Sequence, residues 1–238
     1  MKPLISLLLL TLFITKGSFF AQTPTNCFEI ESILVDACGT PESDNEMVRI
    51  KIGPNPLNVS NMVIDWPNNS FQGICQNATT ASKTAAFNAT ILGCGFLKEP
   101  VGGVLPAGAS VLIITSTNVS TTANSFANLN DTVIVIYQCA GNNAGHFVNY
   151  NSTPGLRTLI IDFTAPANCG DTVTYDRSFL ININGTQGGN AALNDGARVD
   201  FSWSNVATYA NDGCQAPIIS SGIDITTPTP LNLCPGAT

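Results

Sequence analysis

Short strand-like segments, divided by Gly, Pro and Asn turns, confine this chain to a β-rich fold. EMVRIKI alternates, with Val48, Ile50 and Ile52 on one face and Arg49 and Lys51 on the other. ARVDFSW repeats the pattern, setting Val199, Phe201 and Trp203 inward and Arg198, Asp200 and Ser202 outward. SVLIIT (Ser110–Thr115) and TVIVIYQ (Thr132–Gln138) are apolar runs rich in β-branched residues, as expected of central strands. FEIESILV, NMVIDW, RTLIIDF, DTVTYD and SFLINI are further candidates, separated by turns such as Gly-Pro-Asn-Pro at 53–56. TTASKTAAFNATI (Thr79–Ile91) is expected to hold one short helix and TTANSFANL (Thr121–Leu129) a turn or two. The pattern predicts an all-β sandwich with one or two short helices in inserts.

Met1-Lys2, the apolar run Pro3–Ile14 and the polar stretch Thr15–Ser18 have the order of a secretory signal peptide. The run is shorter than the ~20 residues of a membrane-spanning helix, and no second such stretch follows Ala21. Residues 1–21 are expected to be the signal, 22–217 one domain, and 218–238 a Ser/Thr/Pro-rich linker leading into a further module. Removing the signal takes Lys2 and Lys16 from nine basic residues, leaving seven against sixteen acids and a net charge of −9. Arg49 and Lys51 are the only close basic pair, which argues against nucleic-acid binding.

All eight cysteines follow the signal, and an even count in an exported chain predicts disulfides. None forms a CxxC pair, so a zinc knuckle is not expected. Cys75 and Cys94 flank one short segment and are the first expected bridge. Cys234, in the linker, is expected to pair downstream, leaving the domain an odd set with one thiol to spare.

EMVRIKI, LNVSNMVIDW and VLPAGASVLIIT together resemble the lamin-tail-type immunoglobulin-like domain. Glu46-Met47-Val48, Val63-Ile64-Asp65-Trp66 and Leu105-Pro106-Ala107-Gly108 fill the places of its motifs, and GDTVTYDR resembles its later strand. The chain departs from the pattern in its Pro-Ala-Gly turn and in a cysteine-bearing insert from Gly73 to Pro100. ILVDACG, WPNNS, CQNATTA, FANLNDT and QCAG are similar to N-terminal domains of secreted, gliding-associated surface proteins of Bacteroidetes, over roughly Cys27 to Pro217. That resemblance implies export, further immunoglobulin-like repeats and a type IX sorting signal. It carries over no catalytic residues and makes Glu46 a framework residue.

VDACGTPESDNEMV gathers Asp36, Glu42, Asp44 and Glu46 in one loop. A solvated turn is the favoured reading. Calcium is the alternative, with Asp36, Asp44, Asn45 and Glu46 as ligands, although the spacing matches no helix-loop-helix calcium loop; acid–base catalysis by paired carboxylates ranks last, since nothing near Glu42 or Asp44 suggests a cleft. QCAGNNAGHF sets Cys139 seven residues before His146, the one histidine, so a thiol hydrolase must be weighed against a bridged cysteine and a structural histidine. The latter is preferred, and no HExxH, P-loop, Gly-x-Ser-x-Gly or dinucleotide pattern is present. NGTQGGNAALNDG (Asn184–Gly196) reads as a polar surface loop. Asn58, Asn68, Asn77, Asn88, Asn118, Asn130, Asn151 and Asn184 begin Asn-x-Ser/Thr triplets, glycan acceptors only in a eukaryote.

The expected function is an exported, non-catalytic cell-surface module with a structural, adhesive or binding role toward an extracellular protein or glycan, and with no cofactor unless calcium. The alternative is an accessory domain of an exported hydrolase whose catalytic domain lies downstream.

Overall fold

The computed structural model describes residues 27–141, 144–188 and 191–218; the expected signal peptide, most of the linker and Cys234 lie outside the described residues. The strands are β1 (Phe28–Asp36), β2 (Met47–Ile52), β3 (Leu57–Asn58), β4 (Met62–Asp65), β5 (Ile74–Cys75), β6 (Phe96–Lys98), β7 (Val104–Leu105), β8 (Ser110–Ile114), β9 (Thr132–Gln138), β10 (Leu156–Phe163), β11 (Cys169–Asp176), β12 (Ala197–Phe201) and β13 (Ala207–Asn211). The helices are α1 (Ala78–Asn88) and the single turn α2 (Ala191–Asn194).

A large mixed sheet runs β13–β12–β1–β2–β8–β9, and β9 carries both β5 and β6 along its other edge. A smaller sheet, β11–β10–β4, packs on one of its faces, and β3 and β7 form a separate two-stranded ladder. Side chains alternate across a strand, so β8 and β9 serve two cores at once. Val111, Ile113, Ile134 and Ile136 join the core shared with Ile64, Leu159, Ile161 and Val173 of the smaller sheet. Leu112, Ile114, Val133, Val135 and Tyr137 face a second core with Phe87, Leu97, Phe126 and Leu129. Burial on both faces is why these strands read as continuous apolar runs. A bulge between Ile30 and Ser32 resets β1, so that both Ile30 and Ile33 reach the first core.

The helix expected over Thr79–Ile91 is α1, started by an Asn77 side chain that accepts from Thr79 N (2.8 Å) and Thr80 N (3.3 Å) while Thr80 Oγ1 accepts from Asn77 N (2.9 Å). Thr121–Leu129 is not helical. It belongs to the crossover that the parallel pair β8–β9 requires, and it drops Phe126 and Leu129 into the second core. Trp203 does not face inward: β12 ends at Phe201, and Trp203 stands on the turn to β13, 46% exposed. Arg49 is not on an open face either. It pairs with Glu31 at 2.8 Å and donates to the Ile218 carbonyl, which covers it.

Cys75 pairs with Cys139, not with Cys94, and this bridge ties β5 to the end of β9. Cys27–Cys169 joins the large sheet to the smaller one, and Cys38–Cys214 joins the end of β1 to the chain after β13. Cys94 is disulfide-bonded as well, so no thiol is free among the described residues and the expected spare cysteine is absent there. Alkylation without reduction should therefore label none of Cys27, Cys38, Cys75, Cys94, Cys139, Cys169 and Cys214. The bridge closing the 142-residue separation between Cys27 and Cys169 should contribute about 3–5 kcal/mol. Urea unfolding of the Cys27→Ser/Cys169→Ser double variant against wild type measures it.

Candidate functional site

The acid-rich loop after β1 is not a solvated turn. Asp36, Asp44, Asn45 and Glu46 are all buried, leaving Glu42 half-buried at its edge. A single 3-10 turn, Glu42–Asp44, reverses the chain and delivers Glu46 to the start of β2. The loop is fastened from outside: Thr115 Oγ1 donates to the carbonyls of Ser43 (2.9 Å) and Glu46 (3.0 Å), and the Asn124 amide donates to the Asn45 carbonyl (3.3 Å).

Glu46 anchors a buried polar network. Its Oε2 accepts from the His146 main-chain N–H at 2.8 Å and from His146 Nδ1 at 2.9 Å, while Oε1 accepts from Phe147 N at 3.2 Å. The tautomer follows from the next partner. Gln138 Nε2 donates to the Thr115 carbonyl (2.9 Å), and Gln138 Oε1 accepts from Trp66 Nε1 (2.8 Å) and Gln72 N (3.2 Å). The Gln138 amide is thereby oriented with its nitrogen toward His146 Nε2, at 2.8 Å. Nε2 must accept, so the proton sits on Nδ1 and points at Glu46. A second ring proton would face an N–H. Burial holds the imidazole pKa down to about 4, only partly offset by Asp44. Burial also pushes the Glu46 carboxyl up, opposed by the N–H groups of His146 and Phe147, which favour its charge.

Asp36 and Glu42 form a second cluster on the other side of the turn. Their carboxyls lie close enough to share a proton in a hydrogen bond. Burial first, then the charges of Glu42 and Asp195, push Asp36 up to about 8. Burial raises Glu42 too, opposed first by the Asn149 amide, whose Nδ2 donates to Glu42 Oε2 at 3.0 Å. Glu42 and Asn149 also line a cleft of about 380 Å³, with Pro41, Ser43, Asn68 and Val148 around it.

The structure therefore divides the expected calcium ligands. Both Glu46 oxygens are taken by N–H donors, and Asn45 Oδ1 accepts from Ser120 N at 2.8 Å. Asp36 has Glu42 and Asp195 as its main acidic neighbours, with Glu46 acting on it more weakly. Among the described residues no three His, Cys, Asp or Glu side chains gather as a metal-binding group. The nucleophile reading fails as well, because Cys139 is bridged to Cys75 and His146 is fully buried. Gln138, Asn149 and Asp195 escaped the sequence reading, and Trp66 was read only as part of a family motif. The signals were the framework role that the family resemblance gives Glu46 and the motif place it gives Trp66. Compared with protein-family models, with curated proteins and with solved structures, the chain has no significant match.

Replacing Glu46 by Ala leaves three buried donors without an acceptor and should cost about 3 kcal/mol or more. His146 binds fewer protons folded than unfolded between about 4 and its ordinary 6.5, so its contribution to stability is lost as pH falls through that window. The loss should reach roughly 3 kcal/mol near pH 4. The stability gap between wild type and His146→Gln should narrow by that amount between pH 7 and pH 4 in urea titrations. A gap independent of pH would mean that the buried ring titrates normally.

Proposed function

We propose that this chain is an exported, non-catalytic cell-surface module with a structural, adhesive or binding role, the N-terminal part of a larger surface protein. The observation that carries this reading is the commitment of the one histidine and of Cys139 to structure. Both ring nitrogens of His146 are bonded to buried partners, and Cys139 is locked in a disulfide. The cleft sets Glu42, Asn68 and Asn149 beside the apolar Pro41 and Val148, a mix suited to hydrogen bonding and packing against an extracellular protein or glycan. Three disulfides on a β-rich frame fit an oxidising, extracellular setting. No helix among the described residues is long and apolar enough to cross a membrane.

The lamin-tail-type immunoglobulin-like kinship belongs to the same proposal. It is supported by two packed sheets, by Glu46 at the head of β2, and by Trp66, buried at the end of β4, in the places that the motifs assign them. An accessory role beside an exported hydrolase would use the same cleft as a substrate-docking surface.

Expression of the full chain with its N-terminus intact tests export. The expected product is found outside the cytoplasm, starts at Gln22 by mass spectrometry, and has no hydrolytic activity on ester, peptide or glycoside substrates. Cytoplasmic retention with residues 1–21 still attached would overturn the export reading. A hydrolytic activity abolished by His146→Ala in a folded protein would overturn the non-catalytic one.

A further inference from the structure

Seven of the eight cysteines lie among the described residues, and all seven are disulfide-bonded. Cys27–Cys169, Cys38–Cys214 and Cys75–Cys139 use six of them. The seventh is Cys94, and its bond needs a second sulfur. In this single chain the one other cysteine is Cys234. The sequence expectation that Cys234 pairs further downstream would leave the bond at Cys94 unaccounted for.

The chain around Cys94 is built as a fixed anchor. Cys94 lies in the connection from α1 to β6, half-buried, between two glycines. Gly93 N donates to the Ala127 carbonyl at 3.0 Å, and Gly95 N to the Leu129 carbonyl at 2.9 Å. A Cβ added at Gly93 or Gly95 would collide with Leu129, so the approach requires glycine on both sides of the cysteine. Between them Cys94 N donates to Asn130 Oδ1 at 3.4 Å. The residue is therefore clamped against the rim of the second core, where Leu129 is buried.

The same core receives the end of the described chain. Ala216 and Ile218 are buried in it with Leu97 and Leu129, and Arg49 of β2 donates to the Ile218 carbonyl. From β2 to β6 the sheet runs through β8 and β9, three steps between neighbouring strands, or roughly 14 Å. Sixteen residues separate Ile218 from Cys234, and extended chain of that length reaches about 53 Å. The tail can cross to Cys94 with slack to spare.

We infer that Cys94 and Cys234 form a fourth disulfide, which returns residues 219–233 to the domain as a closed strap. Its formation joins the two Sγ atoms. The two thiol protons and two electrons pass to an external disulfide, which is reduced to two thiols. The stretch expected to serve as a free linker is then held at both ends, and the residues after Cys234 start beside β6, not at the end of β13. The inference goes beyond the binding-module reading and does not rest on it.

Disulfide mapping of the full chain tests it, after refolding in reduced and oxidised glutathione so that the result is independent of export. Free thiols are alkylated, and the chain is digested without reduction by trypsin and by a protease that cuts before Asp. The expected product is Thr84–Lys98 linked to Asp224–Thr238, separating on reduction, beside the other three linkages. Cuts before Asp212 and Asp224 keep Cys214 apart from Cys234, so the linkage is unambiguous. Cys94→Ser and Cys234→Ser should each expose one thiol per chain to a thiol reagent in urea, whereas wild type and the double variant expose none. Mapping needs only the wild type, so a variant that fails to fold leaves the test intact. Alkylated Cys94 and Cys234 in a wild-type chain carrying the other three bridges would overturn the inference. Cys94 linked to a second copy of the chain, seen as a dimer that reduction dissolves, would overturn it equally.

Discussion

The Glu46 carboxylate, with three N–H groups converging on it, is the interaction on which the rest of the structure depends. Its main-chain carbonyl is bound by Thr115, at the end of β8, and its side chain fixes the main chain at His146 and Phe147. Through His146 and Gln138 the same chain of bonds reaches β9, and through Trp66 it reaches the end of β4 in the smaller sheet. A charge buried among apolar strands destabilises unless every lone pair is met. Here the donors come from residues about a hundred positions away, so they are in place only when both sheets are correctly apposed. The network thus ties local chain reversal to global packing.

Two kinds of restraint act on this frame. Hydrogen bonds orient groups within the folded state, whereas disulfides restrict the unfolded chain. The bridges lie at the periphery of the large sheet and across to the smaller one, while the polar network sits at the junction of the acid loop, β9 and β4. Charged residues make up only 11% of the chain, so surface ion pairs contribute little and the covalent links carry more of the burden of keeping the strands together.

What the sequence made legible follows a simple physical division. EMVRIKI and TVIVIYQ declared themselves because strand periodicity and burial on one or both faces are local properties. The existence of α1 was readable as well, from the run TTASKTAAFNATI, although its Asn77 cap was not. Trp203 misled because alternation continues on paper past Phe201, where the chain turns away. Phe126 and Leu129 misled because helical spacing in a short segment cannot reveal a loop pressed into a core. The acid loop was read as solvated because its compensating groups, His146 and Asn149, are distant in sequence. Disulfide partners were hidden for the same reason, and proximity along the chain favoured Cys94 over Cys139.

The placement of the bridges has a mechanical consequence. A tensile load entering near Cys27 and leaving near Cys214 need not travel through the β-ladders. It can run along β1 to Cys38 and cross the Cys38–Cys214 bond to the exit point. Even with β1 torn fully from its neighbours, the chain from Cys27 to Cys38 can lengthen only to about 40 Å. The residues between Cys38 and Cys214 lie in a covalent bypass, and the folded unit behaves under tension as a short inextensible link.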